Sequence, residues 1–307
     1  MISVCIPIHN FYVYPLVRRL ATEAEKLNAG QVEIVCIDDH SSGYYINQNK
    51  GIAEIASYYA LGKNVGRARV RNLFLKYAKG DYLLFLDCDS MVPQFFLKNY
   101  IKCIEREHPA VVVGGRKYDE RGHDDNHYLR YLYGTKVESR PAAKRRLHPY
   151  QSFMTNNFMV RRDVFERVRF DERLHKYGHE DTLFGYRLEQ NDVPVTHIDN
   201  MVVNGHIEDN AEFLHKTVEA VGNLALIYEF MWEDQRFCQS VKLLRAYAKV
   251  RRWKLQGVVY WLFKVFKSPL ESHFVKGTGI SIAQFNFYKL GMLIKKLNYS
   301  KASQELD

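Results

Sequence analysis

The stretch Gly80-Asp81-Tyr82-Leu83-Leu84-Phe85-Leu86-Asp87-Cys88-Asp89 is a turn, a short apolar run of strand length, and two aspartates straddling one residue where the run stops. If strand alternation continues to the end, Asp87 and Asp89 share a face and Cys88 points away. Two carboxylates on one face repel unless a cation sits between them, and a hard divalent ion suits them. Magnesium or manganese held in this way keeps positions open for phosphate oxygens, which makes a site for a nucleotide diphosphate. Asp-x-Asp also occurs where a strand merely ends in a solvated loop, so the neighbouring stretches decide.

Three further stretches carry residues of the right chemistry. Arg67 and Arg71, four apart, share a face near the start of an expected helix over 67–77, where backbone N–H groups and guanidinium groups suit a phosphate or carboxylate. The bland alternative is that these arginines, with Arg69, solvate an amphipathic helix. Glu180-Asp181 opens a helix running to Gln190, and the helix dipole there favours an ionised Asp181 that could deprotonate a hydroxyl; simple capping is the competing reading. His206 follows a short strand and Gly205, where a neutral imidazole could complete a metal sphere or serve as an ordinary hydrogen-bonding residue.

The elements that must position these residues read as α/β. Ser3–Ile8 is a buried strand, 14–28 has helical spacing and ends at Gly30, and Val32–Ile37 is a second strand before Asp38-Asp39-His40-Ser41-Ser42. Strand, helix, strand in this span is a βαβ unit, and a parallel sheet gathers ligands at the carboxyl ends of its strands. Pro7, Ile8 and Asn10, then Asp38 and Asp39, then Asp87 to Asp89 lie at such ends. Further strands are expected near 55–59, 110–114, 155–160, 195–198 and 201–203, and helices over 93–107, 162–165 and 211–232. The stretch 117–151 breaks the pattern and is expected to be a loop-rich lid on the acceptor side.

The chain has 307 residues, 47% hydrophobic and 26% charged, ordinary for a folded globular protein and sufficient for one large domain with an appendage. Its five cysteines show no Cys-x-x-Cys pairing and read as small buried residues in a reducing compartment. No basic n-region precedes the first strand, and the most apolar window, 257–266, is too short to span a bilayer and contains Lys264, so a cytoplasmic chain is expected, at most peripheral on the cytoplasmic face of a membrane. Residues 241–307 hold thirteen Lys/Arg against three Asp/Glu, so the net charge of +9 belongs to this tail. Its basic and aromatic residues at helical spacing suit an anionic membrane surface; a helical appendage with a solvated basic face is the alternative.

Taken together, the chain resembles the family 2 glycosyltransferases of the GT-A fold. The resemblance runs from Ser3 to about His206 and rests on Val4 to Asn10, Ile37 to Ser42, Asn64-Val65-Gly66 with Arg71-Asn72, Gly80 to Asp89, and Glu180-Asp181, in that order. It implies a Rossmann-like, mostly parallel sheet covered by helices in a catalytic domain over 1–210, with a helical extension over 211–307. It implies that Pro7, Ile8, Asn10, Asn64 and Arg67 line the nucleotide-sugar pocket with Asp87 and Cys88, that Asp38 or Asp39 meets the base's imide nitrogen, and that Arg71 sits by the phosphates. Asp89 would ligate Mn2+ or Mg2+ directly, with Asp87 and His206 as further metal-side residues, and Asp181 would be the base with Glu180 beside it. The implied reaction is an inverting transfer from a nucleotide donor, a UDP-sugar, to a glycan or lipid-linked glycan. The Gln-x-x-Arg-Trp motif of processive synthases is absent, since Arg251-Arg252-Trp253 follows Asp181 at a distance and position 249 is lysine, so a single addition is expected. A membrane surface or a second copy is the expected partner of the tail, and nucleic acid is not. The competing reading is an inert nucleotide-binding GT-A-like protein acting through its basic tail; a nucleotidyltransferase would need a glycine-rich phosphate loop that Pro7 to Asn10 does not supply.

Overall fold

A computed structural model describes residues 1–119 and 124–304, with side chains to residue 298. The chain resolves into two compact units: Met1–Asp119 with Glu138–His175 and Glu180–His206, and Glu120–Val137 with Lys176–His179 and Ile207–Asp307. In chain order the strands are β1 (Ile2–Ile8), β2 (Val32–Asp38), β3 (Ser57–Ala60), β4 (Tyr82–Leu86), β5 (Ser90–Met91), β6 (Val111–Val113), β7 (Arg116–Lys117), β8 (Asn157–Arg161), β9 (Val195–His197) and β10 (Val202–Asn204). The helices are α1 (Tyr14–Ala24), α2 (Gly43–Gln48), α3 (Arg67–Tyr77), α4 (Phe96–Glu107), α5 (Tyr128–Tyr133), α6 (Ala142–Arg145), α7 (Arg162–Arg167), α8 (Glu180–Gln190), α9 (Asn210–Met231), α10 (Gln235–Ser240), α11 (Lys242–Arg252), α12 (Gln256–Lys276) and α13 (Ile282–Gln304).

The first unit is built on a seven-stranded sheet in the order β3-β2-β1-β4-β8-β6-β9. Four of its pairings are parallel, and β8 runs antiparallel between β4 and β6. The sheet is mostly parallel because helical crossovers join its first strands; its strands are correspondingly near-continuous apolar runs, buried on both faces. Alternation sorts them: Val4, Ile6, Leu84 and Leu86 pack with Leu16, Val17, Phe96 and Tyr100 of α1 and α4. Cys5, Val35, Phe85 and Phe158 pack with Phe74, Phe165 and Phe184 of α3, α7 and α8 on the other face.

Register fixes where the strands end. Ile8 pairs with Asp38 and Leu86 with Asn157, so the polar segments after β1, β2 and β4 emerge along one edge of the sheet. A second, three-stranded sheet, β5-β10-β7, follows β4 directly.

Several expectations shift. The first helix stops at Ala24, where Lys26 and Leu27 N–H groups turn to the carbonyls of Glu23 and Ala24, three residues back; Gly30, at φ +78°, serves the turn into β2. The segment 117–151 is not a plain loop. Residues Glu120–His123 lie outside the described part, but α5, a π-type turn and α6 occupy much of the rest. Buried Arg145 donates to the carbonyls of Val113, Gly114 and Ile198 at 2.9, 3.0 and 2.7 Å, so this end of the segment is anchored to the ends of β6 and β9 rather than poised as a lid. Its Nη1 also meets His197 Nδ1 at 2.8 Å; burial holds that imidazole down near a pKa of about 4, neutral and protonated on Nε2, which donates to the Pro149 carbonyl.

The second unit is helical. Buried Glu208 accepts from Arg130 of α5 at 3.0 Å and from Lys216 of α9 at 3.0 Å. Phe274 of α12 packs edge-on to Phe285 and Tyr288 of α13. Among the described residues no helix is long and apolar enough to cross a membrane.

Candidate active site

All the expected site residues lie in the first unit, at the carboxyl edge of the β1, β2 and β4 region or on the segments that follow it. After β1 the chain turns at Asn10, whose φ of +50° is tolerable for asparagine. Asn10 N–H donates to Ser41 Oγ at 2.8 Å, and its Oδ1 accepts from Ser42 N–H at 2.9 Å. His9 Nδ1–H donates to the Asp39 carbonyl at 2.9 Å, which leaves Nε2 to accept from Asn10 Nδ2 at 3.2 Å. The loops after β1 and β2 are therefore laced together. Pro7 is partly exposed, whereas the Ile8 side chain is in the core, and its carbonyl is taken by Asp39 N–H. The Ile8 side chain packs in the core because an unbroken apolar strand spends its inward side chains on packing.

The two aspartates after β2 divide. Asp38 is fully buried, with Oδ1 accepting from Ser41 N–H at 2.7 Å and Oδ2 from Tyr58 Oη–H at 2.8 Å. Burial, then the bond to Asp38, push the Tyr58 phenol well up. Both Asp38 oxygens are thus held within the chain, as are those of Asp39, itself only 4% exposed. Asp39 accepts from the N–H groups of Val65 and Gly66 at 2.7 and 2.9 Å, which fixes the lead into α3. Gly66 is needed there: its φ is +85°, and a Cβ would lie 3.1 Å from the His175 carbonyl oxygen. Asn64 stays exposed, with Nδ2 on the Asp39 carbonyl at 3.1 Å.

Arg67 is exposed, but Arg71, one turn along α3, is only 2% exposed. Its Nη2 donates to Asp87 Oδ1 at 3.0 Å and its Nη1 lies 3.4 Å from Glu180 Oε1. Arg71 is a buried brace joining the end of β4 to the start of α8. A guanidinium spans two carboxylates in this way because its donors form a planar fork.

The aspartates at 87 and 89 are not set by strand alternation. The strand stops at Leu86, and Ser90 N–H bonds the Asp87 carbonyl at 3.1 Å, so 87–90 is a turn. Cys88 packs against the α1/α4 core, and burial, with Asp89 and Asp87 adding to it, pushes its thiol up to about 12. It remains a neutral thiol, half-buried against that core. Gly205 N–H bonds the Asp89 carbonyl at 2.8 Å, an approach that only glycine permits, since a Cβ would meet that oxygen at 2.8 Å. This pairing puts exposed His206 next along the chain from Asp89's own partner, with its ring 6.3 Å from that of Phe11.

Among the described residues no three His, Cys, Asp or Glu side chains form a complete metal cage. The donor set still fits a hard divalent ion, because such ions are bound through one or two carboxylates with substrate phosphates completing the sphere. Partly exposed Asp89, with His206 tied to the same backbone pairing, supplies that kind of partial sphere. Asp87, with one oxygen on Arg71, has its second oxygen to offer.

Asp181 departs from expectation in sign. The dipole at the start of α8 favours its carboxylate, but burial, followed by the charge of Glu180, outweighs it and raises its pKa from 3.8 to about 7. Bonds from Thr182, whose N–H lies 2.6 Å from Asp181 Oδ1, offset only part of this. The result is a carboxylate poised near neutrality, where a general base is most effective.

Sequence reasoning missed Tyr58, Gly205 and Asn156. Asn156 lies beside Asp87, whose N–H bonds its carbonyl at 3.1 Å, and both polar atoms of its buried amide lack a hydrogen-bond partner. The polar run Thr155-Asn156-Asn157 ahead of an apolar strand was the available signal.

The fold and this edge define a GT-A-type glycosyltransferase. The profile described as Glycosyl transferase family 2 matches residues 3–169, more than half of the chain, and the chain belongs to that family. Chondroitin synthase of Escherichia coli is 26% identical over 225 residues, which cover 61% of this chain and 32% of that protein. This chain thus spans under a third of that relative's length. Mannosyltransferase PcManGT from Pyrobaculum calidifontis, solved with GDP-Man and Mn2+, superposes with a TM-score of 0.56 at 14% identity, covering 98% of this chain and 86% of its own. Glucosyl-3-phosphoglycerate synthase from Mycobacterium tuberculosis, solved with Mn2+, UDP and glucosyl-3-phosphoglycerate, gives 0.50 at 16% identity, covering 75% and 79%. At these identities the likeness is one of fold.

Proposed function

We propose that this family 2 glycosyltransferase moves a sugar from a UDP-sugar to a hydroxyl of a glycan or lipid-linked glycan in a single displacement with inversion. The observation that carries the reading is Asp181, with a pKa near 7, on a helix whose preceding residue, Glu180, is braced by Arg71 to Asp87 at the β4 end. Asp181 takes the proton of the acceptor hydroxyl as its oxygen bonds to the anomeric carbon. The bond from that carbon to the diphosphate oxygen breaks with its electron pair on the diphosphate, on the opposite face of the sugar. Mn2+ or Mg2+, held by Asp89 with Asp87 and His206, supplies positive charge to the departing diphosphate when bound.

In this reading Pro7, Asn10, Asp39 and Asn64 border the nucleotide, Arg67 faces the phosphates from the start of α3, and Ile8, Asp38, Arg71 and Cys88 hold that wall from behind. The division into a catalytic domain over 1–210 and a helical extension over 211–307, a single addition per encounter, and a place on the cytoplasmic face of a membrane belong to the same proposal. An inert nucleotide binder would have no need to keep both Asp89 and Asp181, so that alternative is disfavoured.

Calorimetry with UDP tests the arrangement. Heat of binding is expected with Mn2+ and is expected to vanish with chelator and in Asp89→Ala, while Asp181→Asn binds as the parent does. Equal binding with and without metal, or loss in Asp181→Asn, would contradict these roles.

A further inference from the structure

The second unit carries a surface that the transfer reaction does not use. Residues 235–270 contain nine Lys/Arg and no Asp or Glu. They fold as α10, α11, the corner at Trp253 to Leu255, and the first two thirds of α12. The inner side of α12 is satisfied: Phe263 and Phe274 are buried against Tyr288. Its outer side is not. Val258, Trp261 and Val265, at spacings of three and four residues, form one stripe facing away from Phe263. Trp261 is 62% exposed, and Trp253 at the corner is 67% exposed, with Leu255 and Phe266 also exposed. Arg251, Arg252, Lys254 and Lys264 stand exposed around these side chains. The first downstream carboxylate, Glu271, is already taken by Lys267 at 3.1 Å and by Tyr288 at 2.6 Å.

From this we infer that the α11–α12 corner docks the protein in the interface of an anionic lipid bilayer, with Trp253, Trp261, Val258 and Val265 entering the headgroup boundary. Tryptophan favours that depth, and an amphipathic helix with cations beside its apolar stripe binds anionic lipid by both terms together. Charge selects this occupant over the others. A second copy on the same face would oppose Arg251, Arg252, Lys254 and Lys264 to their own copies, with no Asp or Glu in residues 235–270 to offset them. A nucleic acid would meet the cations but leave the aliphatic stripe in water. α12 lies in the surface plane, since it is not apolar enough to cross.

Co-sedimentation with vesicles decides this, and because it needs neither donor nor metal, its failure is distinct from failure of the transferase reading. The full chain is mixed with vesicles of phosphatidylcholine alone, or of phosphatidylcholine with phosphatidylglycerol, at low and high salt. Binding is expected only to the mixed vesicles at low salt, with a blue shift of tryptophan emission. Trp253→Glu/Trp261→Glu, both at exposed positions, is expected to lower partition at least about tenfold. Arg252→Gln/Lys254→Gln lowers it about 25-fold, at about fivefold per charge. Circular dichroism of both variants is expected to match the parent. No binding to the mixed vesicles, or undiminished binding by the tryptophan variant, overturns the inference. So does a blue shift that follows protein concentration alone, which marks a second copy, or one produced by duplex DNA that the vesicles fail to reverse.

Discussion

Arg71 Nη2 lies 3.0 Å from Asp87 Oδ1 in a pair whose guanidinium is almost wholly buried, and this contact ties the end of the central strand to α3. The other arm of the fork reaches Glu180, so three elements depend on one side chain. Removing one partner of a buried pair leaves uncompensated charge. Arg71→Met is therefore expected to cost about 3 to 5 kcal/mol in chemical denaturation. Arg71→Lys recovers only part of it, because an ammonium cannot bridge both carboxylates in one plane. Adding Glu180→Gln to Arg71→Met restores stability relative to the single variant. A cost below about 1 kcal/mol for Arg71→Met would mean that the brace is incidental.

Asp181 makes a pH prediction with a definite sign. As the base must be ionised, turnover is expected to rise with pH through about 7 and then level. Stability moves the other way. The folded pKa is raised from 3.8, so the favourable contribution is full below about pH 4 and is lost as pH rises through about 7. Asp181→Asn should match the parent's stability near pH 4 and exceed it above pH 7, by about 4 kcal/mol. A parent that gains stability relative to Asp181→Asn as pH rises from 4 to 8 contradicts the shift.

Neighbouring asparagines on β8 and its approach should behave oppositely. Asn157 is fully bonded, to Tyr100 Oη–H at 2.7 Å and to the carbonyls of Gly115 and Asn200 at 2.9 Å each, so Asn157→Ala is expected to cost about 2 to 3 kcal/mol. Asn156 has no such bonds to lose, and Asn156→Ala is expected to leave the melting temperature within about two degrees of the parent. Because Asn156 stands beside Asp87, the same variant is expected to lower turnover about tenfold or more. Equal losses of stability in the two variants would make Asn156 a structural residue like its neighbour.

Tyr58→Phe separates the two aspartates after β2. It removes one bond from buried Asp38 and is expected to cost about 1 to 3 kcal/mol while leaving KM for the donor unchanged. A raised KM with unchanged stability would return Asp38 to the ligand-facing set.

The order of strands and helices was legible because buried parallel strands are near-continuous apolar runs and because α3, α7 and α8 start where polar residues meet apolar periodicity. The site was legible as residue types but not as roles. Spacing told that Arg71 suits a phosphate or a carboxylate, but not that its face of α3 turns toward Phe170 and the β4 end, where it is buried on two carboxylates. Asp87 and Asp89 read as alternating strand residues because the turn at 87–90 depends on one backbone bond to Ser90. The shift at Asp181 was missed for a similar reason: its cause is burial and a neighbour's charge, both tertiary, whereas the dipole argument uses only helix position. Gly205 could be read only once its approach to Asp89 was known.

Metal-dependent sugar transfer with Asp181 as base is checked by nucleotide release from a panel of UDP-, GDP- and dTDP-sugars, with Mn2+, with Mg2+ and with chelator, in the parent, Asp89→Ala and Asp181→Asn. Release from a UDP-sugar is expected, dependent on metal and lost in both variants. Release that persists with chelator, or that survives in Asp181→Asn at the parent's rate, would contradict it.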